Sequence, residues 1–280
     1  MHLQVHSPPR DWKELGKCKK VIKHSQDHGS PYYAVAVSTE GLLAVTDGEY
    51  HCIHLLTKDG TLVRSIGKGM LGISLFGLAF DLQGNLWVTD CANNKIVKLS
   101  QNGQLAKAIH RTGSEGVHFC NPLGVTVSPE GLVYTCDSNN HRVTVHNEDG
   151  NFQFAFGRQG SAPRCFDRPE DIAFGSDGFA YVADVGNKRV SVWSKDGTFK
   201  TDFKTKCTPY HIAATSDNHL VILSRAHNTV MVYTLDGQLI RQFGTKGSQP
   251  GMFNNCWGIC IDSSGLVYIA DGFNKRVQVF

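Results

Sequence analysis

The chain has 280 residues, 41% hydrophobic and 10% aromatic, enough to bury a full core in one large domain or two small ones. No run approaches the roughly 18 consecutive apolar residues of a membrane helix, and the first thirty residues lack the apolar stretch of a signal peptide, so a soluble cytoplasmic protein with no membrane partner is expected. A net charge of +3 is too small to name a partner, and nine scattered cysteines without a C-x-x-C pair read as buried thiols in a reducing compartment.

In chain order, an N-terminal extension (1–15) precedes a strand-like stretch, KCKKVIK, at 17–23. Six units follow, at about 31–67, 75–110, 122–157, 169–204, 209–244 and 255–280. They are marked by Asp47, Asp90, Asp137, Asp184, Ser224 and Asp271, at intervals of 40 to 47 residues. The third unit, PLGVTVSPEGLVYTCDSNNHRVTVHNEDGNFQFAFG, shows the pattern: a strand (VTV), a turn (SPEG), a second strand (LVYTC), a D-x-x-N-x-R loop, a third strand (VTVH), a turn (NEDG) and a fourth strand (FQFAF). Period-2 alternation, β-branched enrichment and frequent Gly, Asn and Asp turns mean strands throughout. Four antiparallel strands repeated six times predict an all-β, six-bladed propeller.

The sixth unit stops after its third strand, at Phe280. Gly16, Cys18 and Ile22 repeat the spacing found in fourth strands such as Gly103, Leu105 and Ile109. The N-terminal strand is therefore expected to complete the last blade by pairing 17–23 with 277–280, which removes two open sheet edges.

The stretches LVYIADGFNKRVQVF, AYVADVGNKRVSVW and VYTCDSNNHRVTVH resemble the NHL repeat. Over 16–280 the chain is most similar to the C-terminal propellers of tripartite-motif (TRIM-NHL) proteins. The resemblance implies a relative of ubiquitin ligases whose RING, B-boxes and coiled coil lie upstream and whose propellers bind RNA or protein. Neither zinc spacing nor heptads occur in this sequence, so catalytic ligase activity does not carry over. The first unit (DGEYHCI) and the fifth (SRAHNTV) depart from D-x-x-N-x-R.

A catalytic carboxylate does not recur five times in register, so Asp47, Asp90, Asp137, Asp184 and Asp271 are expected to hold turn amides or pair with the basic residue of their own loop. Asn93, Asn140, Asn187 and Asn274 suit left-handed turn positions. Alternate loops of a propeller emerge on opposite faces. The face with the second-to-third-strand loops and inter-blade connections carries Lys68, Arg158, Arg164, Arg168, Lys188, Lys204, Lys206, Arg225, Lys246 and Lys275, together with the register-repeated Lys95, Arg142, Arg189 and Arg276. The other face is rich in acids, including Glu40, Asp59, Asp81, Glu130 and Asp262, against Lys58 and Lys195.

Aromatics interleave the basic face (Tyr32, Phe76, Phe119, Phe166, Tyr210, Phe253 and Trp257) and either stack bases or pack blades. At the channel mouth, Tyr33, Gly77, Gly124, Asp171, His211 and Gly258 are read as entering the inner strands. One carboxylate and one imidazole, Asp171 and His211, are too few for the metal centre of a propeller lactonase or lyase. No metal or cofactor is expected. The reading is a monomeric, non-catalytic module that binds single-stranded or stem-loop RNA; an acidic protein surface is the alternative partner, ahead of a metal-dependent hydrolase or lyase.

Overall fold

Each unit folds as four antiparallel strands lying side by side in chain order, and the six sheets form the blades of a propeller. The computed structural model describes residues 12, 15–23, 30–112 and 117–280. Blade three shows the plan, with strands Pro122–Val127, Val133–Asp137, Arg142–His146 and Phe152–Phe156. Its second strand is buried along its whole length, as are Leu43–Asp47, Leu86–Asp90, Ala180–Asp184 and Val267–Asp271. A middle strand is covered by the neighbouring blade on each face, which is why these segments read as apolar runs rather than clean alternations. Fourth strands lie on the rim and are mostly exposed, as at Leu105–Ile109.

The ring closes as the spacing predicts. Lys20–Ile22 pairs antiparallel with Arg276–Val279, placing Lys20 opposite Val279 and Ile22 opposite Val277. Blade six thus takes three strands from the C-terminus and its outer strand from the N-terminus.

The segment read as an extension contributes to the core. Trp12 is 5% exposed, Leu15 is 4% exposed, and both pack with Val221, Val232, Val267 and Phe280 between blades five and six. The Trp12 indole donates from Nε1 to Asp217 Oδ2 at 2.8 Å and lies 5.1 Å from the His219 ring. Replacing Trp12 with alanine is expected to cost about 3 kcal/mol, the usual scale for emptying a buried aromatic site. Urea unfolding measures it, and an unchanged midpoint would contradict the packing.

All nine cysteines are free. Cys52, Cys91, Cys136, Cys165 and Cys256 are buried as expected, whereas Cys18, Cys120, Cys207 and Cys260 are half-exposed, Cys260 on the wall of the central channel. Burial pushes the Cys91 and Cys256 thiols up to about 12, so they sit as neutral apolar fillers. Among the described residues no helix is long and apolar enough to cross a membrane.

Candidate functional site

In blades two, three, four and six the repeat Asp ties the blade to the connection that leads into it. Asp184 Oδ1 accepts the Asp167 N–H at 2.8 Å, while Oδ2 accepts from Asn187 Nδ2 at 2.8 Å and from Arg189 Nε at 2.7 Å. The far end of Arg189 donates to the carbonyls of Ser161, Ala162 and Cys165. Asp271, Asn274 and Arg276 repeat this, with Arg276 reaching Ser248, Gln249 and Met252. Asp137 does so with Cys120 N–H, Asn140 and Arg142, and Asp90 with Gly72 N–H, Asn93 and Lys95. Burial pushes the Asp137 and Asp184 carboxyls up, against the pull of these amides and guanidinium groups.

Two details differ from the sequence reading. The left-handed residue is the one after each loop Asn, namely Asn94, His141, Lys188 and Lys275, at φ of 48° to 53°. The Asn itself stays out of that position because its amide is needed as a donor to the Asp. In blade one, where the motif is broken, His54 reaches back from the third strand to Asp47 Oδ2 at 3.0 Å. Burial is the largest single influence and opposes both charges, but their hydrogen bond together with the Tyr50 and Glu49 N–H groups on Asp47 and Cys52 beside His54 outweighs it, lowering Asp47 to about 2 and raising His54 to about 9.

These contacts divide the predicted basic set. The register-repeated bases are consumed by the blades. Arg225 joins them: its guanidinium lies 4.1 Å from the Tyr210 ring and 4.0 Å from the Trp257 ring, and pairs with Glu170 Oε2 at 3.1 Å. Trp257 stacks in turn on Phe76 at 4.9 Å, with Tyr33 edge-on at 5.5 Å. Lys204 donates to the Asn187 carbonyl, and Lys68 lies 5.9 Å from the Tyr50 ring. Arg158, Arg164, Lys188, Lys206 and Lys246 are exposed, with no carboxylate partner among the described residues, and Lys275 is half-exposed and likewise unpaired. Arg168 is 60% exposed at the side chain and sits a loose 3.7 Å from Asp167. Arg158, Arg164, Arg168, Lys188, Lys204 and Lys206 all flank blade four.

The aromatics divide too. Tyr32, Phe119, Phe166 and Phe253 are buried between blades, so they pack and do not present a ring to a ligand. Phe76, Tyr210 and Trp257 are half-buried around the channel mouth. Tyr33 belongs with them: Ala34 occupies the inner-strand position assigned to it, its N–H held by Thr46 as that of Gly77 is by Thr89. One residue outward, the mouth is ringed by Tyr33, Phe76, Leu123, Glu170, Tyr210 and Trp257, a pattern visible in the sequence once the register is known. Inside it, Asp171 accepts the Ile172 and Ile212 N–H groups, and His211 Nδ1 lies 3.6 Å from Asp171 Oδ2. The channel below is a cavity of about 330 Å³ lined by all six inner strands. No group of three His, Cys, Asp or Glu side chains is arranged to hold a metal among the described residues.

On the opposite face the acids are less free than their number suggests. Lys58 pairs with Asp262 at 2.6 Å, Lys98 with Asp81 at 3.1 Å, and Lys195 with Glu130. Lys98 lies inside a strand, so turn composition alone gives no sign of it.

The NHL repeat family matches residues 119–145, 166–193 and 253–280. The chain carries NHL repeats. Each matched NHL window opens on a connection phenylalanine (Phe119, Phe166 or Phe253) and takes in the Asp, Asn and Arg of one loop together with the connection N–H that the Asp holds, so the repeat unit is staggered from the blade. The NHL propeller is 49% identical to protein lin-41 of Caenorhabditis elegans over 41 residues, 15% of this chain and 4% of that protein. It is 42% identical to E3 ubiquitin-protein ligase TRIM71 of Xenopus tropicalis over 38 residues, 14% of this chain and 5% of that protein. The matched segments thus span about a twentieth of these relatives. A streptogramin B lyase structure superposes with a TM-score of 0.67 at 14% identity, covering 93% of this chain and 96% of that one; the fold is what the two share.

Proposed function

We propose that the NHL propeller is a non-catalytic module that holds RNA, single-stranded or in a stem-loop, along its basic face. The local likeness to TRIM71 supports substrate recognition on behalf of a ligase as the setting. One observation carries the reading. The exposed bases outside the Asp ties, Arg158, Arg164, Lys188, Lys206 and Lys246, have no carboxylate partner among the described residues and Arg168 has only Asp167 at 3.7 Å, whereas the bases of the ties are paired. Such a set tracks phosphates, and the half-buried rings of Tyr33 and Phe76 at the channel mouth offer stacking surface.

Six phosphate contacts on a single strand correspond to a log–log salt slope of roughly −4. Anisotropy titration of a randomised RNA pool between about 50 and 300 mM salt measures it. Charge reversal at Arg158, Arg168 and Lys246 together should halve that slope to about −2 and weaken binding more than tenfold at low salt. A folded wild type that ignores RNA sinks the reading; retention of an acidic polypeptide instead would transfer the face to a protein partner.

A further inference from the structure

At the second residue of the middle strand, four blades place an aromatic side chain that fills the gap toward the next blade near the acidic face: Trp87, Tyr134, Tyr181 and Tyr268, all buried. Tyr134 stands edge-on to Phe154 of its own blade and, at 4.9 Å, to Phe174 of blade four, and donates to the Lys195 carbonyl at 2.8 Å. Tyr181 donates to Asp177 Oδ2 at 2.7 Å, in the turn between the first two strands of its own blade.

Blades one and five have no ring at this position. They carry Ala44 and Val221. Between blades five and six the place is taken by Trp12, whose Nε1 donates to Asp217, the residue that matches Asp177 in the turn. Between blades one and two no ring from the described residues takes it. The gap there is a cavity of about 300 Å³ lined by Glu40, Leu42, Leu55, Arg64, Phe80 and Leu82 among others. Leu82 is 66% exposed at its rim. Glu40 matches Asp177 and Asp217 in turn position, and it is exposed with no partner among the described residues. Arg64 donates to the Gln101 carbonyl, the counterpart of the carbonyl that Tyr134 holds in blade three.

We propose that this slot is a docking site for a tryptophan of a partner peptide, seated as Trp12 is seated in the equivalent slot, with its indole between Leu42 and Phe80 and its N–H on Glu40. The acidic turn at its rim, at Glu40, favours Lys or Arg next to that tryptophan; Lys13 follows Trp12 directly along this chain. The site lies on the face opposite the basic patch, so it stands or falls independently of RNA binding.

The probe is a nine-residue peptide, PPRDWKELG, copied from residues 8–16, with Phe and Ala forms at its tryptophan, titrated into methyl-labelled full chain and followed by NMR. The Trp form is expected to shift the Leu42 and Leu82 methyls with a Kd of about 0.1–1 mM, the Phe form to bind 5- to 10-fold more weakly, and the Ala form not to bind. Glu40→Gln, at an exposed position, keeps a neutral acceptor but loses the charge, so it should weaken the Trp form about 3- to 5-fold and the Phe form less. Ala44→Tyr should abolish both by filling the slot from within. Absence of shifts at Leu42 and Leu82, unchanged affinity of the Trp form in Glu40→Gln, or shifts confined to Val221 and Ile261 of the Trp12 slot would overturn the proposal. So would a dimer of the free protein that disappears in Trp12→Ala, which would make a second copy the occupant.

Discussion

Replacing Arg189 with alanine is expected to lower the unfolding free energy by about 3–5 kcal/mol, the range for removing one partner of a buried ion pair. Arg189 is 3% exposed and Asp184 is fully buried. The change strands that carboxylate and also frees the Ser161, Ala162 and Cys165 carbonyls, which a small side chain cannot reach. Arg189→Lys should recover little, because an ammonium cannot hold the Asp and three carbonyls in one planar fork. Arg158→Ala, on the same face but exposed, should stay within about 0.5 kcal/mol of wild type. Urea midpoints for the three variants provide the comparison, and a loss below about 1 kcal/mol in Arg189→Ala would mean that the tie between blades is not energetically important.

Acid should destabilise the propeller through His146. Its ring is fully buried in the third strand of blade three, where other blades carry Leu56, Leu99, Trp193, Tyr233 and Phe280. Phe119 and Phe152 each lie 5.8 Å away, and neither ring nitrogen has a hydrogen-bond partner. Burial, reinforced by the Arg142 charge, lowers His146 from 6.5 to about 4. A folded value below the unfolded one means that the unfolded chain takes the proton first. The stability is therefore complete above about pH 6.5 and falls as pH drops toward 4, by about 3 kcal/mol from this group. His146→Leu should remove that limb and add about 1 kcal/mol at pH 7.5 by eliminating unpaired buried nitrogens. The other histidines contribute to both proteins alike, so the difference between variant and wild type at pH 7.5 and at pH 5 isolates His146. An equal difference at both values would show that it does not titrate with folding.

How much was legible beforehand follows the range of the interactions. The Asp, Asn and Arg of one loop are within five residues of each other, and their recurrence exposed both the repeat and its structural purpose. Closure of the ring was legible because Gly16, Cys18 and Ile22 keep the spacing of a fourth strand. The faces followed from strand order alone. Arg225 was misassigned because its partners, Tyr210, Trp257 and Glu170, come from three blades, and nothing local distinguishes it from Lys206. Trp12 looked like part of a polar lead-in for the same reason: its partner Asp217 is 205 residues away.

The sequence by itself determined the blade count, the all-β class, the closing strand and the sorting of loops by face, because each is a consequence of period and alternation along one chain. Tertiary structure decided which bases are spent on the blades and which are exposed. It placed Ala34 rather than Tyr33 at the channel wall and left the gap beside Ala44 unfilled while Trp12 occupies its twin. Those outcomes depend on side chains meeting across blade boundaries, where distance along the chain carries no information about distance in space.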